Sequence, residues 1–145
     1  SQERLKLASA LGVDFIINAS TQDVESEIRS LTNGMGADLV IETGGTEDSV
    51  LNAVKAVRKL GTIAALGVGK GMYNFPWNEA IFKAVNIVFS FSANYLAFEQ
   101  SLNLLASGRI PAQKIISGVY PLESWFEAFQ ALQQRNALKI VLEIK

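Results

Sequence analysis

Short apolar runs alternate with amphipathic stretches along this chain, and glycines punctuate nearly every join. Leu5, Ala8 and Leu11 recur at helical spacing, and Gly12 stands where a helix would stop. "VDFIIN", from Val13 to Asn18, then reads as a short buried strand. Val24, Ile28 and Leu31 fall on one face of a second helix that ends at Asn33-Gly34. "ADLVIE", from Ala37 to Glu42, is a strand broken by Thr43-Gly44-Gly45. A third helix turns Val50, Val54 and Val57 inward and stops at Gly61. "TIAALGV" follows as another apolar strand and runs into the loop Gly67 to Gly71. Nearly continuous apolar strands need cover on both faces, so the alternation predicts parallel βαβ units in an α/β fold.

The pattern loosens afterwards. "FPWNEAIFKA" predicts a short helix and "VNIVFSFS" a strand rich in Val, Ile and Phe. A helix from Leu96 to Ala106 closes at Gly108. "IISGVY", a helix from about Leu122 to Gln134 and the strand "LKIVLEI" complete the chain. A change of structural unit is expected near Ala93, dividing the chain into 1–92 and 93–145.

Composition sets the exclusions. The 145 residues suit about one domain, and the 49% hydrophobic and 19% charged content is that of a globular chain. A net charge of −1 with no Lys/Arg-rich run argues against nucleic acid as a partner. No apolar stretch approaches the ~18 residues of a membrane span, and no signal peptide is visible. With no Cys there are no disulfides, thiolate nucleophiles or Cys-rich metal sites, and with no His the commonest metal ligand and general base are gone. An acid–base or metal centre, if one is used, is expected on other residues.

Gly67-Val68-Gly69-Lys70-Gly71 has the look of a phosphate loop, in which backbone N–H groups at a strand-to-helix turn face an anion. Met72 to Pro76 is a poor helix start, however, and no G-K-[ST] occurs. Loops at the carboxyl ends of parallel strands frame the crevice where open α/β sheets take ligands. Close backbone approach to a planar ligand is therefore the preferred reading, with a plain turn as the alternative. Thr43-Gly44-Gly45 reads as a turn needing positive φ, as a shelf beside the same ligand, or as both. Glu42 ends an apolar strand with no second carboxylate or base paired to it, which favours a structural over a catalytic role. Taken alone, Lys139 is an edge charge and Arg4 part of a solvated face.

Together these segments resemble a known family. "RLKLASALGVDFIIN…LTNGMGADLVIETGG…LNAVKAVRKLGTIAALGV" and "LLASGRIPAQKIISGVYPLESWFEAFQAL…ALKIVLEIK" resemble the medium-chain dehydrogenase/reductase family, the zinc-type alcohol and polyol dehydrogenases. The likeness covers essentially the whole chain, in order. It implies a partial Rossmann-like, doubly wound parallel sheet lacking its first two strands, with a C-terminal helix/strand segment that in the family returns to the catalytic domain. It also implies reversible alcohol oxidation with hydride transfer to NAD or NADP, using a catalytic zinc for which this chain has no ligands.

The resemblance assigns the cofactor side residue by residue. Arg4 matches a basic residue that approaches the adenosine end. Thr43 and Gly44 match the shelf after the family's fourth strand. Leu66, Gly67 and Val68 match the segment bordering the nicotinamide, and Ser90, Phe91 and Ser92 the end of the sixth strand beyond it. Lys139 matches a basic residue reaching back to the pyrophosphate. No catalytic or metal-binding residue carries over: the family's Cys/His/Glu zinc ligands, proton relay and Gly-rich turn belong to regions outside these residues. Ser92-Ala93 stands where some polyol dehydrogenases carry a basic–aromatic pair, a departure from the sorbitol-type pattern.

A fragment of such an enzyme is expected to contribute cofactor binding and to be inactive alone. The expected substrate is a small alcohol or sugar alcohol, the expected location cytoplasmic, and the expected assembly a homo-oligomer meeting through "VNIVFSFS". Without the first two strands of a 3-2-1-4-5-6 sheet, "ADLVIE" would expose an edge. That edge would be completed by a larger polypeptide, by "VDFIIN" itself, or by a second molecule. The alternatives are a zinc-free quinone or enoyl reductase of the same superfamily, or a non-catalytic nucleotide-binding or oligomerisation module.

Overall fold

A computed structural model describes residues 1–134 and 137–144. The chain forms helices α1 (Gln2–Ala10), α2 (Val24–Leu31), α3 (Glu47–Ala56), α4 (Trp77–Lys83), α5 (Tyr95–Ala106) and α6 (Trp125–Gln133). Its strands are β1 (Ala37–Glu42), β2 (Val57–Ala65), β3 (Asn86–Phe89), β4 (Ile116–Pro121) and β5 (Lys139–Glu143). The fold is α/β with parallel sheets, and it divides into two compact units, 17–92 and 1–16 together with 93–145.

The unit 17–92 is built on a three-stranded parallel sheet of order β1-β2-β3. Val40 pairs with Ile63 and Ile63 with Ile87, so these three side chains share one face of the sheet. Helix α3 packs on that face, and Val54, Val57, Ala53 and Ile63 form its buried core, with Val40, Phe75, Ala80 and Val85 around them. Each large aliphatic side chain buried this way contributes roughly 1.5–3 kcal/mol. Leu39 and Ile41 point to the other face by strand alternation, and both stay more than half exposed, at 56% and 61%.

The start of α3 is specified by its own residues. The Ser49 N–H donates to Thr46 Oγ1 at 3.2 Å, and the Thr46 N–H donates to Ser49 Oγ at 2.9 Å. This reciprocal box satisfies two of the N–H groups that a helix start leaves open, and Glu47 and Asp48 favour the positive end of the helix dipole. Helix α2 starts on Asp23, whose carboxylate accepts from the Ser26 N–H at 2.8 Å. That bond, with a further one from the Ser26 hydroxyl, holds the Asp23 carboxyl below its ordinary pKa.

In the unit of 1–16 and 93–145, β4 and β5 pair in parallel across the crossover helix α6. Ala128 is the buried contact of α6, and the Leu138 N–H donates to Ser117 Oγ at 2.9 Å as the chain enters β5. Trp125 stacks edge-on against Phe126 and Phe129, with ring centroids 5.7 and 6.2 Å away.

Three expectations are corrected. "VDFIIN" is not a strand: residues 13–18 join no ladder among the described residues, and Phe15 is 66% exposed. A strand needs a partner to satisfy its backbone, and among the described residues "VDFIIN" does not pair with β1, which ladders with β2. The third helix stops at Ala56, not Gly61. Val57 turns extended (φ −69°, ψ 140°) as the first residue of β2, yet it stays buried as expected. The next residues bulge out of the ladder, since Ala37 pairs with Val57 but Leu39 with Thr62, and Leu60 takes a left-handed φ of 59° at the bulge. The "VNIVFSFS" strand is confined to Asn86–Phe89.

Candidate functional site

The register decides the site. Glu42 pairs with Ala65 and Ala65 with Phe89, so β1, β2 and β3 finish level at their carboxyl ends. Three loops leave from that one edge: 43–45, 66–71 and 90–92. Thr43, Gly44, Leu66, Gly67, Val68, Ser90, Phe91 and Ser92 therefore lie on adjacent loops. Leu66, Val68 and Phe91 are exposed and form an apolar ledge, with Val68 at 77% and Phe91 at 87%. The Ser90 N–H donates to the Ala65 carbonyl at 3.0 Å, continuing the ladder one step past β3, and Ser92 then turns the chain with φ 63°.

Arg4 and Lys139 are not on these loops. Both belong to the unit of 1–16 and 93–145. Arg4 is exposed in the first turn of α1, where its N–H donates to the Ser1 hydroxyl at 3.4 Å. Lys139 is exposed at the first position of β5 and pairs in register with Ile116.

The first two loops are locked to each other. Glu42 Oε1 accepts from the Gly44 N–H at 2.7 Å, the Gly45 N–H at 2.8 Å and the Ser49 hydroxyl at 2.6 Å. The Gly67 N–H, which donates to the Glu42 carbonyl at 3.0 Å, also faces the carboxylate. From the other side the Tyr73 hydroxyl donates to the Gly45 carbonyl at 2.5 Å. Burial raises the Glu42 pKa, but the Ser49, Gly45, Gly44 and Gly67 hydrogen bonds together outweigh it and hold the carboxyl below its ordinary 4.5. Glu42 is thus a buried, ionised and satisfied group, in line with the structural role favoured from sequence.

This packing explains the glycines. A Cβ on Gly67 would stand 2.3 Å from the Gly45 nitrogen, and one on Gly69 2.0 Å from the Gly45 carbonyl oxygen. The backbone of this loop thus runs against that of the neighbouring loop. Tyr73, which completes the lock, gave no sign in the sequence beyond its place just after the glycines. Beneath the loops lies a cavity of about 270 Å3 lined by Glu42, Val54, Ile63, Tyr73, Phe75 and Phe89. Among the described residues no three His, Cys, Asp or Glu side chains gather where they could hold a metal ion. No described helix is long and apolar enough to cross a membrane.

Comparison with known proteins places this architecture. The chain is 29% identical over 142 residues to the sorbitol dehydrogenase of Halalkalibacterium halodurans, covering 97% of this chain and 41% of that protein. It is 29% identical over 149 residues to the L-threonine 3-dehydrogenase of Pyrococcus furiosus, covering 100% and 42%. The alcohol dehydrogenase TADH from Thermus sp. ATN1 superposes with a TM-score of 0.92 at 32% identity, covering all of this chain and 42% of that one. The chain thus spans about two-fifths of the length of the relatives it matches. The profile of the zinc-binding dehydrogenases matches residues 1–107, and the chain belongs to that family.

Proposed function

We propose that this chain contributes the cofactor-binding edge of an NAD(P)-linked alcohol or polyol dehydrogenase. The observation that carries the reading is the level ending of β1, β2 and β3, which lines up three loops beside an exposed apolar ledge. An open parallel sheet takes its ligand there. The exposed faces of Leu66, Val68 and Phe91 suit a planar ring, and the exposed Thr43-Gly44 shelf, with no side chain on Gly44, lets a ligand approach the backbone. Arg4 and Lys139 belong to the unit of 1–16 and 93–145, and from the sequence resemblance alone they are read as cations for the adenosine end and the pyrophosphate.

Leu66, Val68 and Phe91 would hold a nicotinamide, which would supply the hydride acceptor for oxidation of a secondary alcohol at its carbinol carbon. The loops' part is to orient the ring and to keep water from one of its faces. The residues present do not fit a zinc ion, for there is no Cys or His and no acidic cluster among the described residues. No step through a metal is assigned to this chain, and the proton of the alcohol is taken up by groups outside it. The substrate is read as a small hydroxylated molecule, in keeping with sorbitol and threonine in the names of the two relatives. By the same reading the parent enzyme is a cytoplasmic homo-oligomer, and these residues alone are inactive.

The test is dinucleotide binding and alcohol oxidation by the full-length protein. The expected result is saturable binding of NADH or NADPH and nicotinamide reduction with a secondary alcohol. A full-length protein that binds neither dinucleotide would overturn the reading.

A further inference from the structure

A single carboxylate underlies both glycine loops. Ladder bonds hold neighbouring strands about 4.8 Å apart, but they end where the strands end. Beyond Glu42 and Ala65 the spacing of the two loops depends on whatever else connects them. In this unit the Leu66 and Gly67 N–H groups reach the Glu42 carbonyl at 2.8 and 3.0 Å, and the Glu42 carboxylate adds a side-chain link between the two loops. It holds the first loop through the Gly44 and Gly45 N–H groups, ties in α3 through the Ser49 hydroxyl, and faces Gly67 of the second loop. The fit is tight, since a Cβ on Gly67 would lie 2.5 Å from Glu42 Oε2. Tyr73, arriving from the end of the second loop, closes the far side on the Gly45 carbonyl.

We propose that Glu42 is a positioning residue that sets the spacing between the Thr43–Gly44 shelf and the Leu66–Val68 ledge, so that one extended dinucleotide lies across both. The proposal rests on reading these loops as a cofactor site. Glu42 does not touch the ligand: only 6% of it is exposed, and it acts through Gly44, Gly45 and Gly67. Its chemistry suits the task because a carboxylate is acceptor-only on both oxygens and can take N–H groups from two directions. Glutamine keeps one acceptor and turns an NH2 group toward a backbone donor. Aspartate keeps the charge but is one methylene short of the donors.

The experiment compares full-length Glu42→Gln and Tyr73→Phe proteins with the parent, measuring affinity for NADH and for AMP, together with kcat and KM. A ligand spanning both loops depends on their spacing, whereas AMP occupies one end only. Glu42→Gln is expected to weaken NADH binding about tenfold while AMP affinity stays within about twofold. Cofactor KM rises with it, and the KM for the alcohol does not. Tyr73→Phe, which removes only a hydroxyl, shifts the same quantities in the same direction by less. Unchanged NADH affinity in Glu42→Gln overturns the proposal, as does an equal loss for NADH and AMP, which would mark a general structural role. If Glu42→Gln does not fold, unchanged NADH affinity in Tyr73→Phe overturns it. A parent protein that binds no dinucleotide removes the cofactor reading itself, a different failure from either of these.

Discussion

The Lys83 ammonium donates to the Val54 carbonyl at 2.7 Å and to the Lys55 carbonyl at 2.9 Å. It therefore fastens the end of α4 to the end of α3 and supplies a cation where the α3 dipole is negative. Glu79, one turn earlier on α4, pairs with the same ammonium at 3.0 Å. The side chain of Lys83 is only 12% exposed, so the bonds are poorly replaced by water.

Replacing Lys83 with Met keeps the apolar stem and removes the charged donor. The expected cost is about 1.5–3 kcal/mol, the range for a hydrogen bond from a charged group. Urea unfolding checks it, with a lowered midpoint and an unchanged slope.

Gly69→Ala places a methyl group 1.2 Å from the Tyr73 hydroxyl and 2.0 Å from the Gly45 carbonyl, so Tyr73 must leave its bond. A destabilisation of about 1–3 kcal/mol is expected from overpacking. The clash is shared with Tyr73, so the Gly69→Ala/Tyr73→Ala double variant should be less destabilised than the sum of the singles. Strict additivity in a double-mutant cycle would count against this account.

Glu42 gives the protein an acid-sensitive lock. Its folded pKa is depressed, so its contribution is fully present above the ordinary 4.5 and is lost as pH falls through the lower folded value. At neutral pH Glu42→Gln is expected to lower stability by about 1.5–3 kcal/mol, through loss of charged hydrogen bonds. That difference should shrink as the pH is taken below 4.5. Thermal melts of both proteins across the acid range measure it, and a difference independent of pH would show that the charge is not what matters.

The exposed face of β1 predicts a solubility effect. Ile41 is 61% exposed on the sheet face opposite α3, so Ile41→Lys removes apolar surface without opening the core. Stability is expected to change by less than about 0.5 kcal/mol, and concentration-dependent self-association to fall. Light scattering over a dilution series reports the second effect.

Much of this protein is legible in its sequence. β1 over Ala37–Glu42, α5 closing before Gly108, α2, and α3 with its inward Val54 all follow from local periodicity and punctuation. The resemblance pointed to Thr43, Gly44, Gly67 and Val68, and their adjacency follows once the strands are taken as parallel. "VDFIIN" departs from its sequence pattern for a physical reason. Its composition suits a strand, but a strand exists only with a partner, and no local pattern says whether one is present. Glu42 shows the same boundary: the sequence could place a carboxylate at the end of an apolar strand but not the donors around it. Those come from residues up to 25 positions away, Gly67 being the farthest. Periodicity and turn chemistry are properties of neighbours along the chain, and the sequence by itself determined everything that depends on them. Register, the bulge at Leu60, the tyrosine latch on Gly45 and the spacing of the two loops depend on which distant backbones meet, and only the tertiary structure decided those.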